Sequence, residues 1–141
     1  MIRSERGNAA VEFALAVPVI LLVLIATLDL GRLANSYAMV KAVSREGARY
    51  AIVHADAADT AIASYVRGRS ALLDPAGLQV TASYYDGTAW KPWAPHALPS
   101  PGPSGAPVRV SVSYSTSAAT TILGRFLPAN LTSTAVMDGM P

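Results

Sequence analysis

The fold is decided by RGNAAVEFALAVPVILLVLIATLDL, residues 6–30. From Ala9 to Leu28 the only ionisable side chain is Glu12. About 20 residues of α-helix at ~1.5 Å each extend ~30 Å, which is the thickness of the hydrocarbon core of a bilayer. The stretch therefore predicts one membrane-spanning helix with a single carboxylate near its start.

The flanks of this stretch indicate how it is retained and oriented. A cleaved secretory signal has an apolar run of only ~7–15 residues that ends at a small-residue cleavage site. Here the run continues through residues 28–32 without such a site, which favours a membrane anchor. Arg3 and Arg6 precede the span, so the positive-inside rule predicts a cytoplasmic N-terminus and an extracytoplasmic C-terminal part. Arg32 and Lys41 on the other side weaken that asymmetry.

The composition limits the class of protein. The chain has 141 residues, the size of one domain, and 52% of them are hydrophobic against 14% charged. It has no cysteine, so a domain outside the membrane has to be held together by packing or by assembly rather than by disulfides. The net charge is +2, and acidic residues are interspersed with the basic ones beyond the span. No nucleic-acid partner is expected from this pattern.

The helical pattern continues beyond the membrane. Residues 33–53 contain no proline, and one side of the helix is apolar or small at helical spacing. The residues on that side are Leu33, Tyr37, Val40, Val43, Ser44, Gly47 and Tyr50. Lys41, Arg45 and Arg49, which we call the basic row, follow at intervals of four on the other side. The row is either a solvated face or a contact for an acidic partner or for lipid headgroups.

The rest of the chain predicts a short helix and a small sheet. A second helix is expected from Asp56 or Asp59 to Leu72, with Asp59 as a candidate cap. Three strands are expected at residues 78–85, 108–115 and 131–137, and the middle one alternates apolar and polar residues. The expected fold class is α+β, with a long N-terminal helix, a second short helix and an antiparallel sheet of about three strands.

Two segments outside these elements are distinctive. Residues 85–107 hold six of the ten prolines, all from Pro92 to Pro107, which predicts a surface loop without a strand of its own. Trp90 and Trp93 at its root either pack against the sheet or serve as exposed anchors for a partner. ILGRFLP, residues 122–128, is interpreted as a turn over the edge of the sheet or as a contact surface for another subunit.

No catalytic or metal-binding set of residues emerges. His54, Asp56 and Asp59 are near one another in sequence, but they lie at a predicted helix junction where aspartate serves as a cap. No glycine-rich phosphate loop and no Gly-x-Ser-x-Gly motif is present. We therefore expect no enzyme activity, no metal, no cofactor and no small-molecule substrate.

The carboxylate of Glu12 within an apolar segment is explained by the residues around it. A carboxylate in hydrocarbon costs several kcal/mol unless it finds a partner. Residues 7–13, GNAAVEF, resemble the type IV prepilin processing motif. The resemblance implies that a membrane peptidase cuts between Gly7 and Asn8, and that Glu12 pairs with the new α-amine of Asn8, in the same or a neighbouring chain. Phe13 completes the motif.

The resemblance extends over the first third of the chain. Its parts are Arg6-Gly7, residues 11–14 (VEFA), Pro18 within the span, Gly31-Arg32, and residues 45–50 (REGARY). In this order they are similar to the N-terminus of the TadE-like minor pilins, or pseudopilins, of the tight-adherence (Tad, Flp-type, type IVb) pilus. Pro18 removes one amide donor and favours either a tolerated kink or local flexibility.

The resemblance implies a place and a role. It implies a single-pass protein of the bacterial inner membrane, with a leader at residues 1–7, a span at residues 8–30 and an extracytoplasmic pilin-like domain at residues 31–141. Its partners would be the membrane, a prepilin peptidase, other pilins and the Tad assembly proteins. The major pilins of this system are much shorter, which favours a minor role. The resemblance implies that the protein either helps to assemble the fibre or becomes a minor part of it.

Two other functions are compatible with the residues alone. The first is an uncleaved, single-pass extracytoplasmic binding protein, which the N-terminus of the native protein distinguishes from a processed pilin. The second is a membrane-tethered enzyme, against which the missing catalytic set argues.

Overall fold

The computed structural model describes the backbone of residues 3–95, 105–115 and 130–139, and the side chains from Gly7 onward within these ranges. The chain forms helix α1 (Arg3–Val53), helix α2 (Asp59–Arg69), a single 3-10 turn (Pro75–Gly77) and four strands. The strands are β1 (Leu78–Tyr85), β2 (Trp90–Pro92), β3 (Gly105–Ser115) and β4 (Asn130–Gly139). The predicted α+β class is confirmed. We call the described part of the chain from Val40 onward the head.

The four strands form one antiparallel sheet in the order β2-β1-β3-β4. The alternation predicted for the middle strand is confirmed, since Val108, Val110 and Val112 are buried while the residues between them are half-exposed. One face of the sheet is thus apolar and covered by the helices, and the other carries serine, threonine and asparagine. This is how an antiparallel sheet at the surface is normally built.

The fourth strand corrects the sequence-based prediction. Residues 90–92 were expected to belong to a loop without a strand, yet they pair with β1 through the register Tyr85↔Trp90 and Ser83↔Pro92. The cause is the Asp86-Gly87 turn, in which Gly87 adopts φ +96, a conformation that glycine reaches without strain. The prediction was based on the prolines and did not use this turn, although proline is tolerated on an edge strand.

The side chain of Asp86 stabilises the same turn. Its Oδ1 accepts hydrogen bonds from the backbone N–H of Thr88 and of Ala89, each at 2.8 Å. Its other oxygen forms a salt bridge with Lys91. The hydrogen bond from Lys91 and, to a smaller extent, that from the backbone N–H of Ala89 lower the pKa of Asp86 well below its usual range. Asp86 is therefore ionised at neutral pH, and its carboxylate accepts these hydrogen bonds within the turn.

The C-terminal part of α1 packs across β3 and β4, and α2 packs on α1 and β1. The largest fully buried side chains at this junction are Val40, Ile62, Val66, Val108, Val110 and Val112. At Gly47 the backbone of α1 approaches its neighbours closely. A Cβ there would lie 2.7 Å from Val66 Cγ2 and 3.1 Å from Val110 Cγ1. The lack of a side chain at Gly47 therefore permits the packing of α1 on both elements.

One buried polar contact also joins α1 to the sheet. Ser44 is 1% exposed, and its hydroxyl lies 3.1 Å from the hydroxyl of Ser133 on β4 and 3.0 Å from the carbonyl of Lys41. Both hydrogen-bonding capacities of Ser44 are thus used, as a buried hydroxyl requires.

The helix boundaries differ from the predictions in three respects. Tyr37 was placed on the buried side of α1 but is 48% exposed, because the sheet covers the helix only from Val40 onward. Asp59 is not a cap: Ala58 occupies that position without a side-chain hydrogen bond, and Asp59 lies in the first turn. Helix α2 ends at Arg69, where Ser70 donates from its hydroxyl to the carbonyl of Arg67.

The two tryptophans have different environments. Trp93 is buried in the core, as predicted, and its Nε1 donates to the carbonyl of Ala57 at 2.8 Å. Trp90 is half-buried on β2. The segment of residues 122–128 and the central part of the Pro-rich loop, residues 96–104, lie outside the described residues.

Candidate functional site

The first half of α1 presents apolar side chains on all sides. Leu15 is 71% exposed, Phe13 is 69% exposed and Val19 is 63% exposed, and no part of the most apolar 18-residue window is buried against the described chain. Other exposed apolar residues are Val11, Ile20, Leu21, Leu22, Val23, Leu24, Ile25, Leu28 and Leu30. Within the described residues this is the one helix long and apolar enough to cross a membrane. Such a surface requires lipid or other helices around it.

The backbone and hydroxyl groups of this segment are satisfied within the helix except at Pro18. The helix is continuous from Arg3 to Val53 and passes through Pro18. Because proline has no N–H, the carbonyl of Ala14 loses the partner it would otherwise have. Thr27 donates from its hydroxyl to the carbonyl of Val23 at 2.8 Å, so this polar side chain needs no partner outside its own helix.

The predicted processing residues lie on the same stretch of helix. Gly7, Asn8, Glu12 and Phe13 are all exposed. Asn8 and Glu12 are four residues apart, which is about one helical turn or ~6 Å along the axis. None of the described side chains forms a salt bridge with Glu12. The arrangement thus offers an unpaired carboxylate one turn from the backbone nitrogen that cleavage after Gly7 would release.

The backbone around Gly7 is accessible. A Cβ built at Gly7 meets no atom within 4 Å. The Gly7–Asn8 peptide bond is nevertheless helical, since α1 begins at Arg3. A peptidase that acts here has to unwind the first turns of α1, where residues near a helix terminus fray most easily.

The basic row lies on the outer side of α1. Lys41, Arg45 and Arg49 are exposed, while Val40, Ser44 and Ala48 beside them are buried. The row thus faces away from the sheet. The prediction that these residues occupy the side opposite the buried face is confirmed.

Two aromatic clusters were not predicted from the sequence. Tyr50 of α1 stacks between His54, which directly follows α1, and Tyr65 of α2, with ring centroids 4.2 Å and 4.1 Å away. Arg69 of α2 lies over the Tyr65 ring. On the polar face of the sheet, the Arg109 guanidinium lies 3.7 Å from the centroid of Trp90. The first cluster holds α2 against α1, and the second connects β2 to β3 across the intervening strand β1.

The histidine at the helix junction is accounted for by local contacts. Nδ1 of His54 lies 3.2 Å from the carbonyl of Tyr50, one turn earlier on α1. Among the described residues, no group of three or more His, Asp and Glu side chains is placed to hold a metal ion.

The N-terminal helix also matches a known family. Residues 7–49 match the family model described as TadE-like protein. The N-terminal region of this chain is TadE-like. The TadE-like region begins at Gly7, contains Glu12, Phe13 and Pro18, and ends at Arg49, the last residue of the basic row. Comparison with curated proteins and with solved structures gives no match.

Proposed function

We propose that this protein is a minor pilin or pseudopilin that takes part in assembling a Tad/Flp-type adhesive pilus after a prepilin peptidase cuts between Gly7 and Asn8. The observation that carries the proposal is Glu12, the one ionisable residue from Ala9 to Leu28, in a part of α1 whose large apolar side chains are mostly exposed. A TadE-like, pilus-related family over residues 7–49 supports the same role.

Cleavage changes the electrostatics of this segment. Before the cut, the nitrogen of Asn8 is an uncharged amide, and Glu12 has no cationic partner among the described residues. After the cut, Asn8 carries a charged α-amine one helical turn from Glu12. Burial of either charge alone in a bundle of apolar helices would cost several kcal/mol, and pairing the two offsets that cost.

The pairing also fixes how neighbouring subunits align. If Glu12 binds the amine of a neighbour, the two helices are shifted by four residues, or ~6 Å. A further slip along the bundle would leave two unpaired charges in apolar surroundings. Glu12 thus favours one axial register, and the peptidase controls when that register becomes available.

The proposal includes a place and a set of partners. The protein is anchored in the bacterial inner membrane by the apolar part of α1, with its N-terminus in the cytoplasm and its head outside. Its partners are the prepilin peptidase, other pilins and the Tad assembly proteins. The exposed ring of apolar side chains from Val11 to Leu30 supports both lipid and helix neighbours.

N-terminal sequencing and intact-mass measurement of the full chain test the cleavage step. The protein is taken from native membranes that contain the cognate peptidase. We expect Asn8 as the first residue and a mass lower by residues 1–7. Gly7→Leu should retain Met1, and because a side chain at Gly7 meets no neighbour, that variant leaves α1 intact. Met1 at the start of the wild-type protein would refute processing and leave an uncleaved membrane-anchored binding protein.

Substitution of Glu12 tests the pairing separately. Glu12→Gln removes the charge and keeps the size, so the cleaved amine stays unpaired. We expect the amount of this protein in sheared pili, or the number of pili, to fall at least about tenfold while cleavage proceeds, since ~1.4 kcal/mol corresponds to tenfold. Glu12→Asp keeps a carboxylate and should retain most of the assembly. Normal piliation by cleaved Glu12→Gln would contradict the pairing.

A further inference from the structure

The basic row is an unfavourable arrangement for an isolated helix. Lys41, Arg45 and Arg49 are all exposed and succeed one another at intervals of four, where like charges repel. In the part of the chain that the structure describes, none of the three forms a salt bridge. Glu46 lies between them in sequence but makes no ion pair with them either. The fold itself therefore gives no reason for three positive charges at this spacing.

The surface around the row is open to another helix. Ala38 and Ala42, which lie beside the row on the outer side of α1, are exposed. Small side chains allow a second helix to approach closely, and the longer basic side chains then reach along its flank. Eight residue steps separate Lys41 from Arg49, which corresponds to ~12 Å along the axis.

Lipid headgroups lie out of reach of the row. If the span ends at Leu30, Lys41 lies 11 residues and Arg49 19 residues further along a continuous helix, which corresponds to heights of ~17 Å and ~29 Å. Screening at physiological salt reduces interactions between exposed charges beyond ~8 Å. An upright helix thus holds the row too far from the membrane for phosphate groups to bind it.

A second copy of this chain is also a poor partner, and this step rests on the proposed function. With neighbouring copies shifted by four residues, Arg45 of one chain is level with Lys41 of the next, and Arg49 is level with Arg45. The spacing of the row equals the shift, so identical subunits would bring like charges together. The complementary surface must come from a different polypeptide.

We propose that Lys41, Arg45 and Arg49 bind a helix of a different pilus subunit that presents carboxylates at the same four-residue spacing. Each of the three cations then gains an acidic partner in a partly shielded interface, and the complementary charges select this subunit over an identical copy. The role of the row is thus to place a minor subunit beside a particular neighbour.

Site-specific photocrosslinking in native membranes tests this partner. The probe is p-benzoylphenylalanine in place of Ala42 in the full-length chain, with the cognate peptidase present. We expect a crosslink, mapped by mass spectrometry, to an acidic helix of another subunit.

K41E/R45E/R49E should lower the yield of this crosslink at least about tenfold, whereas the charge-conserving swap K41R/R45K/R49K should keep the yield unchanged. The same probe at Thr81, exposed on the far face of the sheet, is the site control and should not give this crosslink.

The outcomes separate this inference from the proposed function. A crosslink to a second copy of this chain, to lipid or within the same chain would overturn the inference. The absence of any crosslink, or a crosslink whose yield does not change on charge reversal, would overturn it as well. Cleavage after Gly7 is read by N-terminal sequencing of the same samples. Uncleaved wild-type protein refutes the proposed function, whereas cleaved protein with charge-independent crosslinks refutes only the role of the row.

Discussion

The two halves of α1 are both rich in apolar residues, yet their environments are opposite. From Val11 to Leu30 the large exposed side chains keep between 43% (Ile25) and 71% (Leu15) of their surface accessible. From Val40 to Ala51 one side of the same helix is buried, with Val40 at 0% and Val43 at 3%. The halves differ both in the number of apolar residues and in their arrangement around the axis.

That difference determines what surrounds each half. The half from Val11 to Leu30, which we call the lower half, is apolar around its whole circumference. It needs apolar surroundings, which the membrane or a bundle of helices provides. The upper half has one apolar side and one charged side, so it needs a single partner surface, and its own sheet provides it. One continuous helix therefore connects a segment that depends on its surroundings with a head that is held together by its own contacts.

The strongest test introduces the same charge into each half. Val43→Asp buries an unpaired carboxylate and should cost several kcal/mol, enough to unfold the head and expose it to protease. Val23→Asp should leave the head folded but impair membrane insertion by ~3 kcal/mol. Limited proteolysis reads the first effect and carbonate extraction of membranes the second. Equal loss of protease resistance in both variants would break the comparison.

A second test uses two glycines of the same helix. Gly47→Ala should destabilise the head by ~1–3 kcal/mol, because the new Cβ overlaps Val66 Cγ2 at 2.7 Å, partly offset by better helix propensity. Gly31→Ala meets no atom within 4 Å and should be neutral or stabilising by up to ~1 kcal/mol. Thermal unfolding of the full chain in detergent measures both. The same sign of change for the two variants would contradict the close packing at Gly47.

The smallest effect is expected from two hydroxyl groups. Ser44→Ala removes the buried contact with Ser133 and should cost ~1 kcal/mol, or a fall of about 4 °C in the melting temperature of the head. Thr27→Ala removes a hydroxyl bonded only to its own helix and should leave that temperature unchanged. If Thr27→Ala lowered it as much as Ser44→Ala, the lower half of α1 would have to contact the head.

Much of the fold follows from periodicity, and the errors show where periodicity has no information. The run from Ala9 to Leu28 and the alternation in β3 are local patterns, so the long helix and the central strand were predicted. Tyr37 was assigned to the buried side because its spacing fits, but spacing does not say where along α1 the sheet begins. The point along α1 at which the sheet begins to cover it depends on the position of β4, and β4 is far from α1 in sequence.

The candidate site shows the same division. Gly7 and Glu12 form a short linear pattern on one helix, so the sequence alone locates them. The stack of Tyr50 on Tyr65 depends on how α2 folds back on α1, and the contact of Arg109 with Trp90 depends on two strand pairings. No spacing rule connects such residues. Strand β2 is different, because Asp86-Gly87 is a local hairpin signal that the prediction, based on the prolines, did not use.

Pro18 gives α1 the geometry of a lever. It lies near one end of the helix, and 35 residues separate it from Val53, a distance of ~52 Å. A change of about 20° in the bend angle at Pro18 would move the far end of the helix sideways by ~18 Å. A small change in the bend at Pro18 is thus converted into a large sideways displacement of the head relative to the first turns of α1.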